Sequence, residues 1–152
     1  MVQRKHSDEH YVLDLCDKFL GAKSSRQHRF DFLTRDPGKD GKRTRLPVDA
    51  YYADLNLVIE YRERHHTEEI PIFDNPSVLT VSGVPRGMQR KQYDQRRRDL
   101  LPAHGITLVE LEYADFEITK NKRLIRDESS VEIVLRAKLS RHQVSHTGGT
   151  RR

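Results

Sequence analysis

The sequence predicts an α/β fold, a central mixed sheet with helices on its faces. Three observations carry that expectation. Leu57, Val58 and Ile59 form a run that is apolar on both faces, the mark of a strand covered on two sides. Residues 57–62, 87–103 and 106–113 read as strand, very polar helix and strand, an order that implies a parallel pair with a right-handed crossover. Amphipathic helical patterns stand near both ends of the chain, over residues 8–20 and after Ser129.

The elements follow in order. Ser7 is placed to cap the first helix, and Asp8 and Glu9 occupy its first turn, where carboxylates suit the helix dipole. Tyr11, Leu15 and Phe19 recur at helical spacing, as do Val12 and Cys16, and Leu20-Gly21 marks the end. Residues 29–33 (Arg-Phe-Asp-Phe-Leu) alternate as a short strand, with Asp31 assigned to solvent. Residues 34–45 are a polar loop. Residues 46–53 and 57–62 form a hairpin around Asp54-Leu55-Asn56. Residues 63–85 are interrupted by Pro71, Pro76 and Pro85 and read as a long loop with a short strand at 78–81; loops of that length are usually functional. The helix over 87–103 ends near Pro102 and Gly105, and the strand 106–113 follows. Ser129-Ser-Val-Glu132 reads as a capping box opening a last helix that carries Val131, Val134, Leu135 and Leu139. Residues 1–141 are thus expected to form one domain, and 142–152 a disordered basic tail.

Composition narrows the function classes. A chain of 152 residues can bury one real core. Charged residues make up 34%, and the formal charge of +5 favours an acidic partner such as nucleic acid. Cys16 is the only cysteine, so an internal disulfide and a cysteine zinc knuckle are excluded. No apolar run approaches the roughly 20 residues that span a bilayer, and no signal-peptide core follows Met1. The expectation is a cytoplasmic protein without a membrane partner.

Chemistry points to residues 46–62. Asp49 and Glu60 each interrupt an apolar strand, and a carboxylate there is costly unless it is paired or binds a metal. Glu60 and Arg62 share one face, and Asp49 lies across the hairpin. Two carboxylates at that reach can hold Mg²⁺ or Mn²⁺, with a substrate phosphate filling open positions. The alternative is that both acids sit at strand ends and pair with arginines. Asp36-x-Gly-x-Asp-Gly lacks the closing Glu of a calcium loop, and Gly83-x-x-x-Gly87 has no phosphate-loop context.

An acid, about a dozen residues, then acid-x-basic on a central strand resembles the PD-(D/E)XK restriction-endonuclease-like pattern. Residues 46–113 are more specifically similar to the small domains related to very-short-patch-repair endonucleases. The matching positions are Asp49, Glu60 and His66, then Asp94, Arg97, Leu101, Gly105 and Ile106, followed by Thr107-Leu-Val-Glu110. The resemblance implies a restriction-endonuclease-like central mixed sheet flanked by helices and metal-assisted hydrolysis of a DNA phosphodiester. Asp49 and Glu60 would be the metal ligands, Glu9 an additional acid from the first helix, and Mg²⁺ or Mn²⁺ the cofactor. RNA stays open as a substrate, and a homodimer is an option because small nucleases that cut both strands often pair.

One departure matters. The family's lysine position, two after Glu60, holds Arg62. Arginine stays protonated and cannot serve as a general base. It can orient the phosphate or offset developing charge, which leaves His66 to activate water and assigns adjacent His65 no role. A catalytically inactive nuclease fold that only binds nucleic acid is the alternative. Gln89-x-x-x-Tyr93 resembles a motif that contacts the DNA backbone in some nuclease branches. With Arg90, Lys91 and Arg97 nearby, that helix reads as a nucleic-acid contact, or else as a solvated face whose arginines pair with Asp94 and Asp99.

Overall fold

The computed structural model describes residues 7–63 and 86–143. His65, His66, the expected strand at 78–81, and residues 144–152 lie outside them. The elements are α1 (Asp8–Leu20), β1 (Ser25–Thr34), β2 (Arg45–Tyr52), β3 (Leu57–Arg62), α2 (Arg86–Ala103), β4 (Thr107–Glu112) and α3 (Glu128–Leu139).

Local chemistry accounts for most boundaries. The Ser7 side chain accepts the His10 N–H at 3.1 Å, and Gly21 stops α1 in the left-handed region (φ 68°), where a residue without Cβ is unstrained. A 3₁₀ turn over Ala53–Leu55 joins β2 to β3, and Asn56 closes it at φ 49°. The last helix differs from expectation. Its cap is Asp127, whose carboxylate accepts the Ser130 N–H, and the helix begins at Glu128. The box proposed at Ser129 therefore does not form. Glu132 lies inside the helix and bonds Arg136 instead, at 2.9 Å.

The four strands line up in the order β1-β2-β3-β4. The first two junctions are antiparallel, and β3 runs parallel to β4. β1 starts four residues earlier than its apolar pattern suggests, because Ser25, Arg26 and His28 pair with Tyr51, Ala50 and Val48. Cross-strand pairing outweighs the weak intrinsic preference of Ser-Arg-Gln-His.

Two cores sandwich the sheet. α1 and α3 bury Leu13, Cys16 and Leu135 against Ile59, Tyr61 and Leu111. α2 covers the other face, where Tyr93 and Leu101 meet Leu33, Val48 and Val58. Strand β3 is buried at every position, as its two-sided apolar start predicts. Cys16 is fully buried, and burial pushes its thiol well above the usual range. Among the described residues no helix is long and apolar enough to cross a membrane.

Candidate active site

β3 parts from β2 sooner than from β4. Its pairing with β2 ends at Ala50–Ile59, while pairing with β4 continues to Arg62–Glu112. Asp49 and Glu60 are the next opposed residues, and their side chains bridge the gap. The Asp49 N–H donates to Glu60 Oε2 at 2.7 Å, and the Tyr61 N–H donates to Asp49 Oδ2 at 2.8 Å. Each carboxylate is thereby fixed by the backbone of the opposite strand. The other oxygens are less well served. Asp49 Oδ1 accepts from Gln27 Nε2 at 3.3 Å, and Glu60 Oε1 lies 3.7 Å from Arg97 Nε.

Electrostatics follow from this crowding. Glu60 is 4% exposed. Burial and the adjacent Asp49 charge push its carboxyl up to about 8, against the pull of Arg97. Burial also raises Asp49, opposed by the Tyr61 N–H and by Arg97. Burial and the Asp49 charge both disfavour an ionised Glu60, and a bound cation would oppose both. Among the described residues no group of three or more His, Cys, Asp or Glu side chains is disposed to hold a metal. A cation here would rest on the two carboxylates and on waters, a ligand set Mg²⁺ accepts.

Two positions further along β3 the charge balance reverses. Arg62 binds Asp94 Oδ1 at 2.5 Å and Glu110 Oε1 at 3.2 Å. Its Nη2 is buried and has no hydrogen-bond partner among the described residues. Arg97 donates to Pro47 O at 2.9 Å and to Asp94 Oδ1 at 3.1 Å. Asp94 therefore takes two guanidinium groups and staples α2 to the sheet beside the acid pair.

No protein-family model, curated protein or solved structure matches this chain.

The expected site residues divide into groups. Asp49, Glu60, Arg62 and Arg97 come together. Glu9 stands on the α1 side: after burial, the charges of Asp8, Glu63 and Glu9 raise the Tyr61 phenol, which belongs to the first core. Gln89 and Arg90 are half-buried on α2, and Lys91 is exposed. Tyr93 and Arg97 are corrections to the expected nucleic-acid face, since both turn inward. The Tyr93 hydroxyl accepts the Asp36 N–H at 3.0 Å, and the Arg96 guanidinium covers its ring at 5.2 Å. Arg96 itself is engaged with Thr34 O and Asp36, and Arg98 with Glu110. Much of the α2 charge is thus spent within the protein. The spacing Tyr93, Arg97, Leu101 is one helical stripe and was the available signal for an inward face.

Sequence reasoning missed Gln27. It faces Asp49 across the β1–β2 junction and holds φ 52°, a left-handed conformation that strains a residue with a Cβ. Nothing in its neighbours announces that conformation. Glu110 was noted only as part of a strand; its role appears through its partners.

Proposed function

We propose that this chain is a metal-dependent endonuclease hydrolysing phosphodiester bonds in DNA, built on a restriction-endonuclease-like sheet. The observation that carries the reading is the facing Asp49–Glu60 pair at the point where β2 and β3 part. Two carboxylates oppose each other there, with the Arg97 guanidinium 3.7 Å from Glu60, an arrangement that suits a divalent cation. The order of one helix, a three-strand antiparallel meander, a helix and a parallel strand supports the fold assignment.

Asp49 and Glu60 would hold Mg²⁺ or Mn²⁺. Such an ion supplies, when bound, polarisation of the phosphate and a lowered pKa for water. The chain's own groups do the rest. Gln27 and the Tyr61 N–H orient the Asp49 carboxylate. Arg62 carries permanent positive charge, fixed in place by Asp94 and Glu110, which would favour an anionic substrate nearby. His66 is the proton acceptor in this reading. The basic surplus and exposed Lys91 favour a polyanionic substrate. We place the protein in the cytoplasm, acting as a monomer or a homodimer.

Plasmid nicking with Mg²⁺ or Mn²⁺ tests the proposal. Wild type should nick, and Glu60→Ala should lose roughly 100-fold or more of the rate. Equal signals from both would remove the enzyme claim. One observation favours a second reading, a nuclease fold that only binds nucleic acid: Arg62 is pinned by two carboxylates where a proton-exchanging lysine is expected. Binding to plasmid without any nicking would select that reading.

A further inference from the structure

An aromatic strip runs along the edge strand β1, joined by Tyr51 of β2 and by His104 just after α2. His28 and Phe30 meet edge to face at 4.7 Å between ring centroids, and Tyr51 packs on both at 4.7 Å. Phe30 stacks with Phe32 at 5.0 Å, and Phe32 stacks face to face with His104 at 3.7 Å. Four of these rings are half-buried and His104 is exposed. One end of the strip abuts the candidate site, because His28 follows Gln27 and Tyr51 lies two residues from Asp49 on β2. Past Phe32, β1 leads into the 35–44 loop, where Lys39, Lys42 and Arg43 are exposed.

Filling the second core explains the inner edges of Phe30, Phe32 and Tyr51, which pack against it. It does not explain two imidazoles closing an apolar stack at its solvent ends, or the side of the strip left open to water. Rings presented along an edge strand, with cations at one end, are the arrangement that binds single-stranded nucleic acid. Bases stack on aromatic faces without regard to sequence, and lysine and arginine follow the phosphates. A duplex keeps its bases stacked on one another and gains nothing from the rings.

We infer that the His28–Phe30–Phe32–Tyr51–His104 strip is a stacking platform for unpaired nucleotides, so that the preferred substrate carries a single-stranded segment leading into the Asp49–Glu60 site. This rests on the nuclease reading for its direction, but its binding test stands apart from catalysis. The probes are fluorescein-labelled dT12 and a twelve-base-pair duplex, followed by anisotropy with the full chain. Wild type should bind dT12 at least about fivefold more tightly than the duplex, the lower bound for one stacked base. His104→Ala removes an exposed ring, and Phe32→Leu keeps apolar packing while removing the π-face. Each should weaken dT12 by about fivefold or more and leave duplex affinity unchanged. Thermal melting of both variants checks that they fold. Equal affinity of wild type for both probes overturns the inference, as does an unchanged dT12 affinity in folded variants. Tight dT12 binding with Mg²⁺ or Mn²⁺ present, but no cleavage of plasmid or of a single-stranded oligonucleotide, would sink the nuclease reading alone. Nicking with no preference for dT12 would sink the platform alone.

Discussion

Glu60 and Glu110 are register partners on adjacent parallel strands, yet they titrate in opposite directions. Burial and Asp49 raise Glu60 to about 8. Burial also works to raise Glu110, but hydrogen bonds from Arg98 and Arg62 outweigh it and leave its carboxyl lowered. The two positions share a sheet face and differ in supply of positive charge. At Glu110 two arginines are within hydrogen-bonding distance. At Glu60 the Asp49 charge adds to burial, and the guanidinium of Arg97 stands 3.7 Å away, beyond hydrogen-bonding distance. The lesson is local: neighbouring positions on one sheet face separate an acid held by two arginines from an acid crowded by a second carboxylate.

Removing the saturating cation should have the largest effect. Arg62→Ala removes a guanidinium 2.5 Å from buried Asp94, and breaking a buried pair typically costs about 3–5 kcal/mol. Urea denaturation checks this, and NMR titration should show Glu110 rising. A loss under about 1 kcal/mol would mean that the two clusters do not differ as described.

Next comes the pH dependence of the acid pair. The folded-state pKa of Glu60, about 8, lies above its ordinary value of 4.5. The folded protein therefore binds the more protons between those values, and its stability falls as pH rises through that window. Glu60→Gln keeps an acceptor for the Asp49 N–H and cannot ionise. It should stabilise the protein by about 1–3 kcal/mol at pH 8, with the gain vanishing near pH 4.5. Melting curves across that range decide it, and a gain independent of pH would contradict the assignment of Glu60.

A divalent cation should act where the charge deficit lies. At pH 8, Mg²⁺ or Mn²⁺ at ten times its Kd should stabilise wild type by about 1.4 kcal/mol and leave Glu60→Gln unmoved. Equal shifts in both proteins would place the ion elsewhere. Gln27→Gly gives the smallest change. It relieves a left-handed backbone and should add about 0.5–1 kcal/mol, while nicking falls because Asp49 loses its side-chain donor. A variant that gains stability and keeps full nicking would show that Gln27 has no part in positioning Asp49.

Residues whose pattern reflects their own burial were legible in the sequence. Leu57, Val58 and Ile59 announce a two-sided strand, and Ser7 with Gly21 brackets α1 as read. Asp31 points to solvent as expected, with its side chain 97% exposed and in contact with Arg45. The opposition of Asp49 and Glu60 was also accessible, because a short hairpin fixes which residues face each other. What was not legible depends on partners distant in sequence. Tyr93 turns inward to meet Asp36, 57 residues away. Arg97 is drawn to Pro47 O, and β1 is extended by Tyr51 and Ala50. Asp127 displaces Ser129 at the start of α3 because its carboxylate already reaches the Ser130 N–H, a competition between neighbouring caps that a motif search does not weigh.

Cys16 supplies an unplanned instrument. As the sole thiol, sealed under α1 and held protonated by its surroundings, it should ignore alkylating reagents in the native state and react only when the first core opens. The rate at which a maleimide label is taken up therefore counts opening events in the intact chain, so every substitution above can be ranked without denaturant and without adding a reporter.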